Sequence, residues 1–414
     1  MRNYVCKVSK KNLIHTTFSK KSFYLCKNIK NTIVKILFLT YHGFDPGSGI
    51  SKKMIAQIKG LRQNGHEVHV CSYSVTPVGD RCRFVDNQVI QNYGRGKRTA
   101  LKPRLDFDCI LKYCIEEHIE LVYARSYMNA SPPLVKLFKK FRLNGIKSVI
   151  EIPTYPYDKE FETLPFEHKA RLFIDKMYRK ALSAQTNAIV TFSDEKTIFG
   201  QRTINISNGV DLDAIPLHKD VDFSKELHLI AVAEVHPWHG FDRLIEGLGQ
   251  YYQQGGGNMK LVYFHIVGDV WDSEMNDSRF AKGFATHIKN YNIEPYVIFH
   301  GKLFGDELNK IFDMCSFAVG SLARHRSGIT NIKTLKNREY ASRGIPFIYS
   351  ENDSDFDEQP YIIKAPADDS PIDINRIISF LSEHEFCAAH IRKTVEHLSW
   401  KIQMGKVINM VEYH

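Results

Sequence analysis

Lys336 and Glu339 stand three residues apart in the stretch Thr330 to Ser350, TNIKTLKNREYASRGIPFIYS, with Tyr340 beside them. On a helix that spacing places a cation and a carboxylate on one face. Near a helix N-terminus, where unpaired amides and the dipole attract negative charge, the pair suits an anionic ligand that also carries hydroxyls. A plain surface ion pair has the same sequence, so the stretch alone leaves both readings open. Upstream, GSLARHRSG (Gly320 to Gly328) gathers Arg324, His325 and Arg326. Guanidinium groups match phosphate geometry, and a solvated basic loop reads alike.

These residues need elements to hold them. Thr330 or Asn331 fits the N-cap of the Lys336–Glu339 helix, because such side chains accept hydrogen bonds from first-turn amides. Gly344 and Pro346 mark its stop, and Phe347 to Tyr349 is a buried strand. The rest of the chain alternates in the same way. Apolar runs at Ile33 to Thr40, Val68 to Tyr73, Leu121 to Ala124, Ser148 to Ile152 and Thr203 to Ile206 read as strands. Amphipathic helices near Ser51 to Asn64, Leu105 to His118 and Pro132 to Leu143 separate them. A second series places strands at Leu227 to Val235, Leu261 to Val267, Val297 to His300 and Phe317 to Gly320. Helices near Phe241 to Tyr252, Phe280 to Asn290, Asp306 to Met314 and Ile332 to Arg343 lie between them. Near-continuous apolar strands alternating with helices mean parallel sheets covered on both faces. The expected fold class is α/β, with two doubly wound Rossmann-like domains facing a central cleft. The expected organisation is a basic extension at 1–30, an acceptor domain at 31–209 and a donor domain at 210–396. The turn-rich SNGVDLD (Ser207 to Asp213) forms the junction, and a helix at 397–414 returns to the first domain.

Charge and cysteines narrow the function. The net charge is +10, but Arg2, Lys7, Lys10, Lys11, Lys20, Lys21, Lys27 and Lys30 precede the first acid, Asp45, leaving about +2 for the rest. A nearly balanced body argues against a nucleic-acid groove. The basic segment has no apolar core or small-residue cleavage site, so it does not read as a secretory signal. It reads as a solvated tail or as a tether to an anionic membrane, with a transit peptide disfavoured by lysine in place of arginine. Eight cysteines without a CxxC pair indicate neither zinc nor redox chemistry. No apolar run approaches membrane-spanning length.

Ligands of open α/β sheets sit beyond the carboxyl ends of the strands. There, HGFDPGSGISKK (His42 to Lys53) has glycines in the wrong spacing for a dinucleotide, and strand two ends without an acid. The loop suits a phosphate or a sugar, or an ordinary tight turn. EVHPWHGFD (Glu234 to Asp242) and IVGD (Ile266 to Asp269) lie at equivalent strand ends of the second half.

The order of these segments resembles glycosyltransferases of the two-Rossmann GT-B architecture, in the large retaining group numbered family 4. The carriers are GSGISKK with NGHEV (Asn64 to Val68), SNGVD, WHGFDRLIEGL (Trp238 to Leu248), IVGD, IFHGKL (Ile298 to Leu303) and LKNREYASRGIPFI (Leu335 to Ile348). An EIPTYP-like segment (Glu151 to Pro156) is similar to bacterial members that build surface polysaccharides. The resemblance implies that Glu339, the second glutamate of the family's E-x7-E pattern, accepts hydrogen bonds from the nucleotide ribose. The first glutamate is Asn331 here, whose amide is left to contact sugar hydroxyls. The arginine and lysine that hold the donor diphosphate in the family fall at Glu234 and His239. Their expected substitutes are Lys336 and Arg326, with protonated His239 as a third. The resemblance further implies donor contacts from Gly49, Ser51, Trp238, Gly240, Gly268, His300 and Gly301.

The activity so implied is transfer of a sugar from a UDP- or GDP-linked donor to a saccharide or lipid-linked saccharide. It proceeds with retention, without a metal ion and without another cofactor, because fixed cations and helix amides stabilise the departing diphosphate. The D-x-D triplets Asp106/Asp108, Asp211/Asp213 and Asp353/Asp355 read as structural. Arg125, Glu151, Tyr155 and Tyr157 follow first-domain strands, where a hydroxyl-rich acceptor belongs, and aromatic faces suit sugars. The expected partners are a nucleotide sugar, this acceptor and an anionic membrane at the cytoplasmic face. A nucleotide-sugar 2-epimerase, forming product without acceptor, and a non-catalytic sugar-nucleotide-binding subunit are the competing readings.

Overall fold

The computed structural model describes residues 33–45, 48–126, 130–158, 166–219, 221–270, 275–276 and 283–412. The basic tail and Gly47 of the first glycine loop lie outside the described residues.

The first strand, β1 (Lys35–Leu39), is buried from Ile36 to Leu39. Leu37 and Leu39 enter one apolar cluster, while Ile36 and Phe38 enter another on the opposite face. A strand apolar on both faces needs helices on both, and the sheet built on it has them. Its order is β4-β3-β2-β1-β5-β6-β7-β9-β8. Here β2 is Glu67–Val75, β3 Arg81–Val85, β4 Gln88–Asn92, β5 Leu121–Arg125 and β6 Lys147–Ile152. The remaining strands are β7 (Ala188–Thr191), β8 (Thr197–Ile198) and β9 (Gln201–Asn205). The central pairings from β2 through β9 are parallel, and β3, β4 and β8 add antiparallel edges.

The second sheet has order β12-β11-β10-β13-β14-β15, and every pairing in it is parallel. Its strands are β10 (Glu226–Val232), β11 (Leu261–Val267), β12 (Val297–Gly301), β13 (Phe317–Val319), β14 (Phe347–Tyr349) and β15 (Ile362–Lys364). Both strand orders reverse direction beside their first strand, the topology that opens a crevice at the carboxyl edge. The chain is therefore a two-sheet α/β protein with two Rossmann-like halves.

Each half has two buried clusters, one per sheet face. In the first, helices Asp108–Glu116, Pro132–Leu143 and Phe166–Ser183 cover one face. Helices Gly49–Gln63 and Trp400–Glu412 cover the other, with Trp400, Met404 and Val407 against Met54 and Leu61. Ser207 Oγ, at the crossover between the halves, accepts from Arg338 Nε at 3.1 Å and donates to Asp355 Oδ2 at 2.5 Å.

Three local expectations change. The helix expected near Leu105 to His118 is broken into Lys102–Leu105 and Asp108–Glu116. The Lys336–Glu339 helix begins later than a Thr330 or Asn331 cap requires, at Leu335, after Thr334. The physical reason is a strand-like contact: Asn352 N donates to Thr330 O at 2.7 Å, and Ile332 N donates to Asn352 O at 3.0 Å. With those groups engaged, helical bonding cannot begin until they are passed. Finally, the β3–β4 hairpin, turning at Asp86 and Asn87 with positive φ, was not expected from the apolar pattern.

Candidate functional site

The motif helix Leu335–Arg343 is pinned under the second sheet by Tyr340. Its buried hydroxyl donates to Val319 O at 3.1 Å and accepts from Val232 N at 3.2 Å, tying the helix to the carboxyl ends of β13 and β10. Arg338, fully buried, donates to Asp353 Oδ1 at 2.9 Å and pairs with Asp355. The helix is thereby fixed at both its inner face and its flank. What remains for chemistry is the outer part of its first two turns, which carries Lys336 and Glu339.

Three strand-end loops meet this surface. The first follows β10 and contains Glu234, His236, Trp238, His239 and Gly240. The second follows β13 and contains Ser321 and Arg324; Leu322 N donates to His239 O at 2.8 Å, stitching it to the first. The third follows β14 and contains Glu351; Ser350 N donates to Ser321 O at 2.9 Å. Two glycines let the backbones come this close. Gly240 is left-handed, and a Cβ there would lie 2.7 Å from the Ala323 Cβ; at Gly268 it would lie 1.7 Å from Ala233 O. Gly301 accepts from the Gly268 amide at 2.8 Å, placing the ends of β11 and β12 side by side.

Lys336 has no ion-pair partner among the described residues. Burial, then the neighbouring Arg324 charge, push its ammonium down to about 7, against a smaller upward pull from Glu351. Glu351 is buried, and burial raises its carboxyl while Arg324 and Lys336 oppose. Its Oε1 accepts from Asn337 Nδ2 at 3.3 Å and Thr334 Oγ1 at 3.4 Å. Its Oε2, together with Asn337 Oδ1 and Ser321 Oγ, is buried without a hydrogen-bond partner. Buried polar atoms are nearly always paired in folded proteins. Three such oxygens lie around the motif helix. Arg324 reaches over the Trp238 ring, 5.7 Å from its centroid. Arg324 comes from the basic cluster noted in the sequence, whereas Glu351 is not among the expected site residues. Glu351 is the first acid after the buried β14, a position that strand-end logic flags.

Other expected residues are placed differently. Glu339 is half-buried, and its Oε1 accepts from Arg343 at 2.9 Å, leaving Oε2 on the helix surface. Asn331 is exposed; its Oδ1 accepts from Asn352 Nδ2 at 2.9 Å. His239 is not a cation. It is buried, its Nδ1 accepts from His236 N at 2.9 Å, and burial with the Lys336 and Arg324 charges holds its ring well below the usual histidine range. The protonated His239 expected from the sequence is thus corrected to a neutral imidazole that orders the loop after β10. Arg326 is likewise already neutralised. It donates to Asp242 at 2.9 and 2.7 Å and to Asp369 at 2.8 Å, so its charge is engaged by carboxylates of its own half.

Trp238 is part-exposed and stacks on His236 with centroids 4.4 Å apart. His300 closes a chain that only the strand register reveals. Its Nε2 meets His265 Nδ1 at 2.8 Å, and His265 Nε2 meets His228 Nδ1 at 2.8 Å, across three adjacent strands. Burial, with its two histidine neighbours, lowers His265 to about 4. In the first domain, Gly49 opens its helix, and a Cβ there would meet nothing within 4 Å. Ser51 is buried, with its Oγ accepting from Asp45 N at 2.9 Å, a bond that shapes the loop.

The four residues expected to meet an acceptor are also placed differently. Glu151 is completely buried, bonded by Gln57 Nε2 at 2.6 Å and Tyr123 OH at 2.5 Å and paired with Lys53 at 3.2 Å and Arg125 at 3.3 Å. Against the desolvation that would raise it, the Lys53 and Arg125 charges hold its carboxyl at about 2. Burial lowers Lys53 to about 8, opposed by Glu151. Glu151 and Arg125 therefore serve each other below the cleft floor. Tyr157 is buried, donating to Asp175 Oδ2 at 2.6 Å. Tyr155 is half-buried, edge-on to Phe199 at 5.7 Å, and is the member of the four nearest to solvent.

With this geometry in hand, the likeness to solved structures is informative. The chain is similar to sucrose-phosphate synthase from Thermosynechococcus elongatus, at 12% identity and a TM-score of 0.62, over 92% of this chain and 99% of that one. It is similar to the trehalose-6-phosphate synthase OtsA, at 10% identity and a TM-score of 0.56, over 92% and 99%. It is also similar to the E. coli trehalose-6-phosphate structure bound with UDP-2-fluoro glucose, at 10% identity and a TM-score of 0.52, over 92% and 99%. The fold is GT-B. No family model and no curated protein matches the sequence. In GT-B terms, the three stitched loops and the motif helix form the cleft edge of the second domain. Lys52, whose ammonium lies 4.7 Å from the centroid of the Phe304 ring, reaches across from the first domain.

Proposed function

We propose that the chain transfers a glycosyl group from a nucleotide-sugar donor, UDP- or GDP-linked, to a saccharide or lipid-linked saccharide, with retention of configuration, in polysaccharide biosynthesis. The observation that carries the reading is the motif-helix constellation: Lys336, Arg324 and Glu351 with partnerless buried oxygens beside them. A diphosphate needs fixed positive charge where the leaving oxygen becomes anionic, and Lys336, on the first turn of the motif helix, and Arg324, on the loop after β13, supply it. A sugar needs buried acceptors and donors, and Glu351 Oε2, Asn337 Oδ1 and Ser321 Oγ supply them. Glu351 thus replaces, from the loop after β14, the carboxylate that Asn331 lacks. The remaining Glu339 oxygen is assigned to the ribose. The two cations do the electrostatic work that a metal ion does elsewhere. GT-B architecture supports the reading, and the resemblance to retaining members supports the stereochemistry.

The experiment is a panel of UDP- and GDP-linked sugars with detection of released nucleoside diphosphate, with and without acceptor. Release that grows with acceptor supports transfer. Altered sugar without acceptor points to epimerisation, and binding without turnover to a non-catalytic subunit. No helix among the described residues is long and apolar enough to cross a membrane. We place the protein at the cytoplasmic membrane face, where the basic residues 1–30 attract anionic lipid in a salt-sensitive way.

A further inference from the structure

Helix Phe166–Ser183 seals one core with Leu172 and Leu182 and buries Asp175, whose Oδ1 accepts from Ala130 N at 3.1 Å. Its opposite side is apolar. Phe166 is 83% exposed, Phe173 66%, Met177 59% and Ile174 43%. At about 100° per residue these positions fall on one outward stripe, which the exposed Ala181 continues. Lys169, Lys176 and Lys180, all exposed, run along one edge of the stripe. The helix packed beside it, Pro132–Leu143, turns exposed Lys136, Lys139 and Arg142 outward, with Leu143 71% exposed. Single exposed apolar residues need no explanation; four aligned large ones edged by a lysine row do.

We propose that helix Phe166–Ser183 lies in the interface of an anionic bilayer, its apolar stripe among the upper acyl carbons and its lysine edge among the lipid phosphates. An amphipathic helix of this kind, about 27 Å long, binds by apolar burial plus attraction to anionic headgroups. Lysine stems lie along apolar surface while their ammonium groups reach the phosphates. A second copy of the chain fits worse. An antiparallel two-fold contact would set the lysine edges against each other, and the nearby acids are engaged: Glu167 with Arg171 at 3.9 Å, Asp158 with Arg179 at 2.7 Å and with Lys176 at 3.3 Å. Protein interfaces are also depleted of lysine at their cores. The proposal does not depend on the transfer reading, and its readout involves no catalysis.

The test uses the full chain and vesicles of phosphatidylcholine, with or without about one-third phosphatidylglycerol. Binding should require the anionic lipid. The double variant Phe173→Ser/Met177→Ser should need at least about tenfold more lipid for half-binding, with unchanged thermal unfolding because both side chains are exposed. In Phe173→Trp, brominated lipid should quench emission beyond the parental signal, which separates insertion of this helix from binding through residues 1–30. Unchanged lipid affinity in the double variant overturns the proposal. So does absence of extra quenching, or conversion of a dimer to a monomer with vesicle binding retained, which would assign the stripe to a second copy.

Discussion

If Lys336 grips the donor diphosphate, donor binding must take up a proton near neutral pH. In the free protein its ammonium is pushed down to about 7, first by burial and then by Arg324. A nucleotide-sugar diphosphate has no titration of its own in that range, and its charge favours the protonated lysine. For a free value of about 7 and a bound value well above 8, linkage requires the donor Kd to rise about tenfold from pH 6 to pH 8. At pH 7 binding should take up about half a proton, measurable by calorimetry in buffers of different ionisation enthalpy. Lys336→Arg should flatten the profile, because a guanidinium stays charged throughout; Lys336→Ala should flatten it too and lower turnover by about a hundredfold. A parental Kd that changes by less than about twofold across that range would refute the assignment. A slope that survives in Lys336→Arg would do so as well.

Glu339→Gln should weaken donor binding by about 1–3 kcal/mol, the range for a hydrogen bond to a charged group. A 2′-deoxyribose donor should already have lost part of that energy, so simple additivity in a calorimetric cycle of enzyme and donor variants would remove Glu339 from the ribose. Arg326→Ala should lower stability and leave donor Kd within about twofold, because its charge is engaged by Asp242 and Asp369; a loss of affinity beyond about tenfold without a stability change would restore its phosphate role. Glu151→Ala should cost about 3–5 kcal/mol in urea unfolding, since it leaves buried Lys53 and Arg125 unpaired. The folded Glu151 carboxyl lies below its unfolded value, at about 2. Its contribution to stability is thus present above pH ~4.5 and lost as pH falls toward 2, and acid unfolding of the variant should lack that phase.

Both parallel sheets were legible because a strand covered on both faces is apolar along its length, as in KILFL of β1. The stop of the motif helix was legible because Gly344 and Pro346 act locally. What escaped depends on contacts distant in sequence. Arg326 reads as a spare cation until Asp242 and Asp369 fold onto it. Glu151 reads as a strand-end acid until Lys53, from another helix, reaches it below the cleft. Glu351 belongs to no spaced motif; only the pairing of β13 with β14 brings it beside Arg324 and Lys336. The late start of the motif helix has the same origin, in a contact with Asn352 from beyond the next strand. Helix Phe166–Ser183 escaped for another reason: its outward stripe is as apolar as its buried side, which blurs the period by which helices are recognised.

The helix Trp400–Glu412 bears on how this protein comes off the ribosome. Trp400, Met404, Val407, Ile408 and Val411 belong to the same buried cluster as Val34, Ile36 and Phe38 of the first strand. Until residue 411 has emerged, helix Gly49–Gln63 has no partner on its outer flank, and an apolar face stays wet while the whole second sheet is made. The first half is therefore the first to be synthesised and the last to be finished. Its nascent form is a natural client for chaperones that shield apolar surface. The same threading joins the halves twice, once at Ser207 to Asp213 and again before Trp400.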